Sequence, residues 1–272
     1  YSLQMQNLDF EFDLVDSAQS CSMLKNVDIF RENQIEMQIR EMIRVSNKNC
    51  PVQDYMAKQG KYYTLKFRAS NVQWFRSLVK CFNHSVAALI KGIYFLDLYY
   101  SKTPLAQLHP VIQVSSMMRL NANVLPALLL DMACKMDCQT RPMFPELNQA
   151  INGSEQDILS LQYSIFQTFD YNLNLPTAFD YIELFNKLLK QFKVTSPANT
   201  QMMQSEPDYL VKSAADMCVG MMALSQNIGV SQELFGAAAV LRCLGGADKK
   251  QFIRKLFDLG IEIGQVLAVQ TE

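Results

Sequence analysis

Side chains able to do covalent or metal chemistry are few in this chain and poorly placed for it. There are two histidines, His84 and His109. Neither lies at metal-ligand spacing from cysteines or carboxylates. Cys81 and His84 are three apart on one expected helix, but nothing completes a ligand set, so the pair reads as packing. The seven cysteines (Cys21, Cys50, Cys81, Cys134, Cys138, Cys218 and Cys243) include no CxxC. That scatter predicts reduced, buried thiols and an intracellular protein of nucleus or cytoplasm. No GxSxG and no phosphate-cradling glycine loop occurs. The 15 methionines, with the pairs Met202-Met203 and Met221-Met222, suit adaptable packing rather than a cofactor. The expectation is a protein that is no enzyme and has no cofactor and no metal.

Binding chemistry is better represented. Lys135 follows the apolar run Leu128, Leu129, Leu130, Met132 and Ala133. An ammonium there needs an acceptor. The simpler reading is a lysine whose stem lies on apolar surface while its amine reaches water. The formal net charge of −1 argues against a nucleic-acid partner. No apolar run approaches the roughly 18 residues of a membrane span, and no signal peptide is visible.

The elements that must position these residues read as helices. Glycine and proline are sparse, and apolar residues recur at three- and four-residue spacing. Residues 1–26 differ: Phe10, Phe12 and Leu14 alternate with Glu11 and Asp13, the pattern of an extended arm. A helix is expected from Asp28, with Ile35, Ile39, Met42 and Ile43 as its stripe. Others are expected at 65–83, 86–100 and 111–137 (interrupted near 121–126). Ser154 and Asp157 resemble a capping pair before a helix at 158–169. Thr177 and Asp180 open the next. Helices are expected over 179–193, 207–226, 231–243 and 247–267. Two groups of about five helices then meet near 170–176.

Three segments carry a resemblance to a known family. The first is Tyr55-Met56-Ala57-Lys58-Gln59 with Phe67-Arg68-Ala69 and Trp74. The second is Ile93-Tyr94-Phe95-Leu96-Asp97-Leu98-Tyr99. The third is Leu128-Leu129-Leu130 through Ala133-Cys134-Lys135-Met136, followed by Leu161-Gln162, Ile165-Phe166, Phe169-Asp170-Tyr171, Leu173 and Pro176-Thr177. In this order the segments resemble the cyclins, and most closely the mitotic A/B type. The match spans residues 55–177. Beyond it, Gly236-Ala237-Ala238-Ala239 resembles the small-residue helix of the second cyclin box.

The resemblance implies an all-α fold of tandem five-helix cyclin boxes with an N-terminal helix. The expected division is an arm at 1–26, a helix and linker at 27–60, a first box at 61–174 and a second at 175–272. Arg68 and Asp97 would form an internal salt bridge. Lys135 would grip kinase backbone carbonyls, surrounded by Met136, Phe166, Tyr171 and Leu173. The family's companion glutamate is replaced by Gln162, which removes a charge from the clamp. The substrate-docking groove would use Phe67 and Trp74, but Ser70 and Asn71 stand where the family has apolar residues, so a weak or unused groove is expected. The separation of Asp97 from Lys135 exceeds the family pattern, with the extra residues around Thr103–Pro126.

The implied function is a regulatory subunit that binds and activates a cyclin-dependent protein kinase. A cyclin-fold scaffold within a larger assembly is the alternative, motivated by Gln162, Ser70, Asn71 and the insertion. A transcription-factor-like role on nucleic acid is disfavoured by charge. In either favoured case the partners are proteins, in a heteromer rather than a homo-oligomer.

Overall fold

The structure, a computed structural model, describes residues 34–52, 55–59, 63–103, 124–137, 155–194 and 209–271. The arm at 1–26, the start of the helix expected from Asp28, and most of the 103–126 insertion lie outside these residues. So do the prolines Pro142 and Pro145, the pair Ser154 and Asp157 as side chains, and the polar stretch 195–206. Among the described residues every regular element is a helix. They are α1 (34–48), α2 (Tyr55–Gln59), α3 (Leu65–Cys81), α4 (Val86–Lys102), α5 (Val124–Met136), α6 (Glu155–Thr168), α7 (Ala178–Val194), α8 (Tyr209–Ala223), α9 (Gln232–Cys243), α10 (Gly246–Asp258) and α11 (Ile263–Ala268).

Local chemistry accounts for several boundaries. Thr64 caps α3 by accepting from the amide of Phe67 at 3.2 Å. Asn83, at φ 54°, closes α3, and the amide of His84 reaches back to the carbonyl of Val79 at 2.9 Å. Ser85 then caps α4 at the amide of Ala88, 3.0 Å away. The Asp180 carboxylate accepts from both the amide and the hydroxyl of Thr177, at 2.7 and 2.6 Å, which starts α7.

The helices pack as two groups. In the first, α4 is central and touches α2, α3, α5 and α6. Its residues from Ala88 to Tyr100 are buried on nearly every side, apart from half-buried Lys91. In the second, α9 is central and touches α7, α8, α10 and α11. The groups meet where α8 and α7 lie against α4. Two glycines allow close approach. A β-carbon at Gly92 would lie 2.7 Å from Leu130 Cδ1, across the α4–α5 contact. One at Gly236 would lie 2.7 Å from Tyr181 Cβ and 3.0 Å from the carbonyl of Ala178, across α9–α7.

Helix α1 crosses to the second group. Ser46 and Tyr181 share a buried hydrogen bond of 2.9 Å. Lys255 Nζ pairs with Glu36 at 2.9 Å, and Arg40 donates to the Asp258 carbonyl at 2.5 Å.

Two expectations need correction. The single helix over 247–267 is two, α10 and α11, because Gly260 turns the chain at φ 78° and the amide of Ile261 bonds back to the carbonyl of Leu256. The run Tyr55–Gln59 is itself a short helix. It is pinned by Tyr55 Oη donating to Asp97 at 2.7 Å and by the Gln59 amide donating to the Tyr100 carbonyl.

Candidate partner-binding site

Arg68 and Asp97 face each other from α3 and α4. Arg68 Nε and Nη2 donate to the two Asp97 oxygens, each at 2.7 Å, in a bidentate pair. Both side chains are nearly sealed from water. Arg68 also reaches the second group, donating to the carbonyl of Met222 at 2.8 Å and more weakly to that of Ala223 at 3.4 Å. Those carbonyls end α8, where a cation is favourable. Burial alone would ease the proton off the guanidinium. Asp97 more than reverses this, so the pKa of Arg68 is raised. One guanidinium thus joins α3, α4 and α8, and through them both helix groups.

Lys135 lies in the last turn of α5, with its side chain 41 % exposed. Its amine meets the Asp131 carboxylate, four residues earlier, at 2.5 Å. Asp131 is wholly buried. Neither of its oxygens has a well-aligned hydrogen-bond donor among the described residues. The Lys135 charge is therefore what makes a buried carboxylate tolerable in this otherwise apolar helix. Sequence reasoning passed over Asp131, which sits within the Leu128–Ala133 run; its i,i+4 spacing to Lys135 was the available signal.

Helix α6 buries Ile158, Leu161 and Ile165 on one side, and Phe169 just after it is buried too. Gln162 and Phe166 are half-buried at its flank, as are Met136 beyond Lys135 and Leu173 after the turn; Phe166 and Leu173 pack on the core. Asp170 and Tyr171 adopt left-handed backbone, at φ 52° and 56°, which is costly for residues with a β-carbon. That turn points Tyr171 outward, 61 % exposed, edge-on to Tyr163 with ring centres 6.2 Å apart. Tyr163, one helical turn beyond exposed Leu159, is itself 56 % exposed. A hydrogen bond in which the Tyr171 phenol keeps its proton toward Tyr163 holds its pKa above the usual value. The outward side of α6 and its following turn thus carries Leu159, Tyr163 and Tyr171, of which only Tyr171 was anticipated.

The four groove positions divide. Phe67 and Trp74 are half-buried on one side of α3, with Phe67 edge-on to Tyr63 at 5.5 Å. Ser70 is exposed and bonds the carbonyl of Lys66. Asn71, between Phe67 and Trp74 on the same stripe, is buried at its inner edge next to Arg68, Val72 and Phe75. It therefore does not line that surface, and its effect falls on the core, where its amide nitrogen has no partner among the described residues.

Among the described residues no cluster of His, Cys, Asp and Glu side chains is arranged to hold a metal. Burial pushes the Cys50 thiol up to about 11, with Glu233 adding to it, and Cys134 up to about 12, so both are poor nucleophiles. No described helix is long and apolar enough to cross a membrane.

No protein-family model matches this sequence, and no curated protein matches it significantly. Among solved structures it resembles a viral cyclin from Herpesvirus saimiri, with a TM-score of 0.56 over 76 % of this chain and 82 % of that one. The fold is that of a cyclin. At 13 % identity the likeness concerns the fold alone. Within this cyclin fold, Arg68 and Asp97 lie at the joint between the helix groups, while Lys135 and the α6 aromatics lie on the surface.

Proposed function

We propose that this chain is a cyclin-like regulatory subunit that binds and activates a protein kinase of the cyclin-dependent class. The observation that carries the reading is a surface amine on a cyclin fold, Lys135, held in place by a buried carboxylate. Helix α6, which packs against α5, and its following turn carry the exposed aromatics Tyr163 and Tyr171. Aromatic side chains around a fixed cation suit the centre of a protein interface. In this reading Lys135 binds kinase backbone carbonyls, and Met136, Phe166, Tyr171 and Leu173 supply apolar contacts. Activation follows from differential binding: the subunit prefers the kinase's active arrangement and shifts its population. The division into two boxes near residue 174, and the mitotic A/B affinity, belong to this same proposal.

The test is to mix the purified chain with a panel of cyclin-dependent kinases and measure both binding and phosphorylation. Lys135→Ala alone is a poor probe, because it strands Asp131. The paired variant Lys135→Ala with Asp131→Asn removes the amine without burying a lone charge. The reading expects a kinase that binds and is activated, with both effects lost in the paired variant. No bound kinase, or one indifferent to the pair, rejects it.

A second reading has one specific observation behind it. The Lys135 charge is engaged inside α5 by Asp131, and Gln162 brings no carboxylate. Both favour a cyclin-fold scaffold that holds protein subunits without activating a kinase. Affinity purification of the native protein separates the readings: a kinase favours the first, a multi-subunit assembly without one favours the second.

A further inference from the structure

Helix α10 has one face in the core and another open to solvent. Phe252 and Leu256 are buried. The helix carries Lys249, Lys250, Arg254 and Lys255 against Asp248 and Asp258. Lys250, Arg254 and Phe257 fall at i, i+4 and i+7, all exposed. Phe257 is 77 % exposed, more than any other large apolar side chain among the described residues. The face is firmly mounted, since Lys255 pairs with Glu36 and Arg40 bonds the Asp258 carbonyl, both from α1. A fixed basic helix face ending in an aromatic suits an acidic ligand with apolar side chains.

A segment of that chemistry belongs to the same chain. Residues 8–16 read Leu-Asp-Phe-Glu-Phe-Asp-Leu-Val-Asp, with acidic Asp9, Glu11, Asp13 and Asp16 and no base. In an extended conformation Asp9, Glu11 and Asp13 share one edge, about 6.7 Å apart. Lys250 and Arg254, four apart on a helix, are separated by about 6 Å along its axis. The two repeats match. Reach is not limiting. Residues 17–33 connect the acidic segment to α1, and the first turns of α1 lie against α10 through Glu36 and Lys255. A tether of that length spans up to about 60 Å, whereas α10 is about 20 Å long. Tethering also raises the local concentration of the segment to about the millimolar range.

We propose that residues 8–16 dock in cis on the outer face of α10. Asp9, Glu11 and Asp13 pair with Lys250 and Arg254, and Val15, next along the same edge, covers Phe257. The arm is then a built-in occupant of this face, which other partners reach only by displacing it.

Carbodiimide coupling of the full-length chain tests this, because it condenses a carboxylate with a lysine amine only where the two touch. Mass spectrometry of the monomer band is expected to find residues 8–16 joined to Lys249 or Lys250. The yield should fall as sodium chloride rises from about 0.05 to 0.5 M. Lys250→Glu with Arg254→Glu should lower it about fivefold, as should Phe257→Ala. Changing Asp9, Glu11 and Asp13 to Lys in the doubly reversed variant should restore coupling between the arm and α10. Absence of the link in the monomer, a link confined to the dimer band (docking on a second copy), or a yield indifferent to charge reversal overturns the proposal. None of these readouts depends on kinase binding.

Discussion

Arg68 shows how much one side chain can organise. It satisfies a buried carboxylate, caps the end of α8, and does both from the first turn of α3. Removing either member of a buried pair leaves the other uncompensated, at a cost of about 3–5 kcal/mol. Arg68→Met and Asp97→Asn should each lower the denaturation midpoint by that order in a urea titration. The double substitution should cost clearly less than their sum; strict additivity would mean the two do not act as a pair.

Glu233 offers a test of electrostatics at the same scale. It is buried at the start of α9, with Ser231 Oγ donating to one oxygen at 2.5 Å. Burial raises its pKa above the ordinary carboxylate value of 4.5. The folded state therefore binds this proton more tightly than the unfolded state does. Its stabilising contribution is complete below pH 4.5 and is lost as pH rises through the raised folded pKa. Glu233→Gln keeps an acceptor for Ser231 without the charge. It should match the wild type in melting temperature near the acid end and exceed it at pH 7.5. A gain of equal size at both pH values would contradict this assignment.

At the scale of elements, the two close approaches differ in kind. At Gly92 an added methyl meets the tip of Leu130, a side chain able to change rotamer. At Gly236 it meets the Tyr181 β-carbon and the Ala178 carbonyl, which cannot give way without moving α7. Gly236→Ala should therefore destabilise by about 2–3 kcal/mol. Gly92→Ala should cost less, and calorimetry of the two variants checks the order. The same elements show what was readable in advance. Helices α3, α4, α7 and α9 are long and strongly patterned, and their expected limits lie within a few residues of the observed ones. Helix α2 is too short for its periodicity to register. The break between α10 and α11 depends on the backbone of Gly260, which hydrophobic pattern does not report. The site was legible only in part. Motif resemblance picked out Lys135 and Tyr171. Asp131, hidden in an apolar run, and the Tyr163 contact needed three-dimensional packing to appear. The family pattern places Asn71 in the groove with Phe67 and Trp74, whose stripe it shares at i+4 and i−3; its burial there is a matter of packing that the spacing does not report.

For the whole molecule, the central claim is that a cyclin fold presents its α5 terminus and α6 face to a kinase. Helix α1 packs on the second group and α4 joins it to the first, so this face is carried on a braced pair of bundles. A partner that meets it would find the Lys135 amine already positioned by Asp131. Such preorganisation lowers the entropic cost of association. Titration of purified chain into a kinase of the cyclin-dependent class, wild type against Lys135→Ala with Asp131→Asn, tests the claim most directly. The account predicts saturable binding with increased phosphorylation, and at least about a tenfold loss of affinity in the paired variant at unchanged melting temperature. Wild-type binding that is undiminished by the pair, or a chain that engages no such kinase, would contradict it.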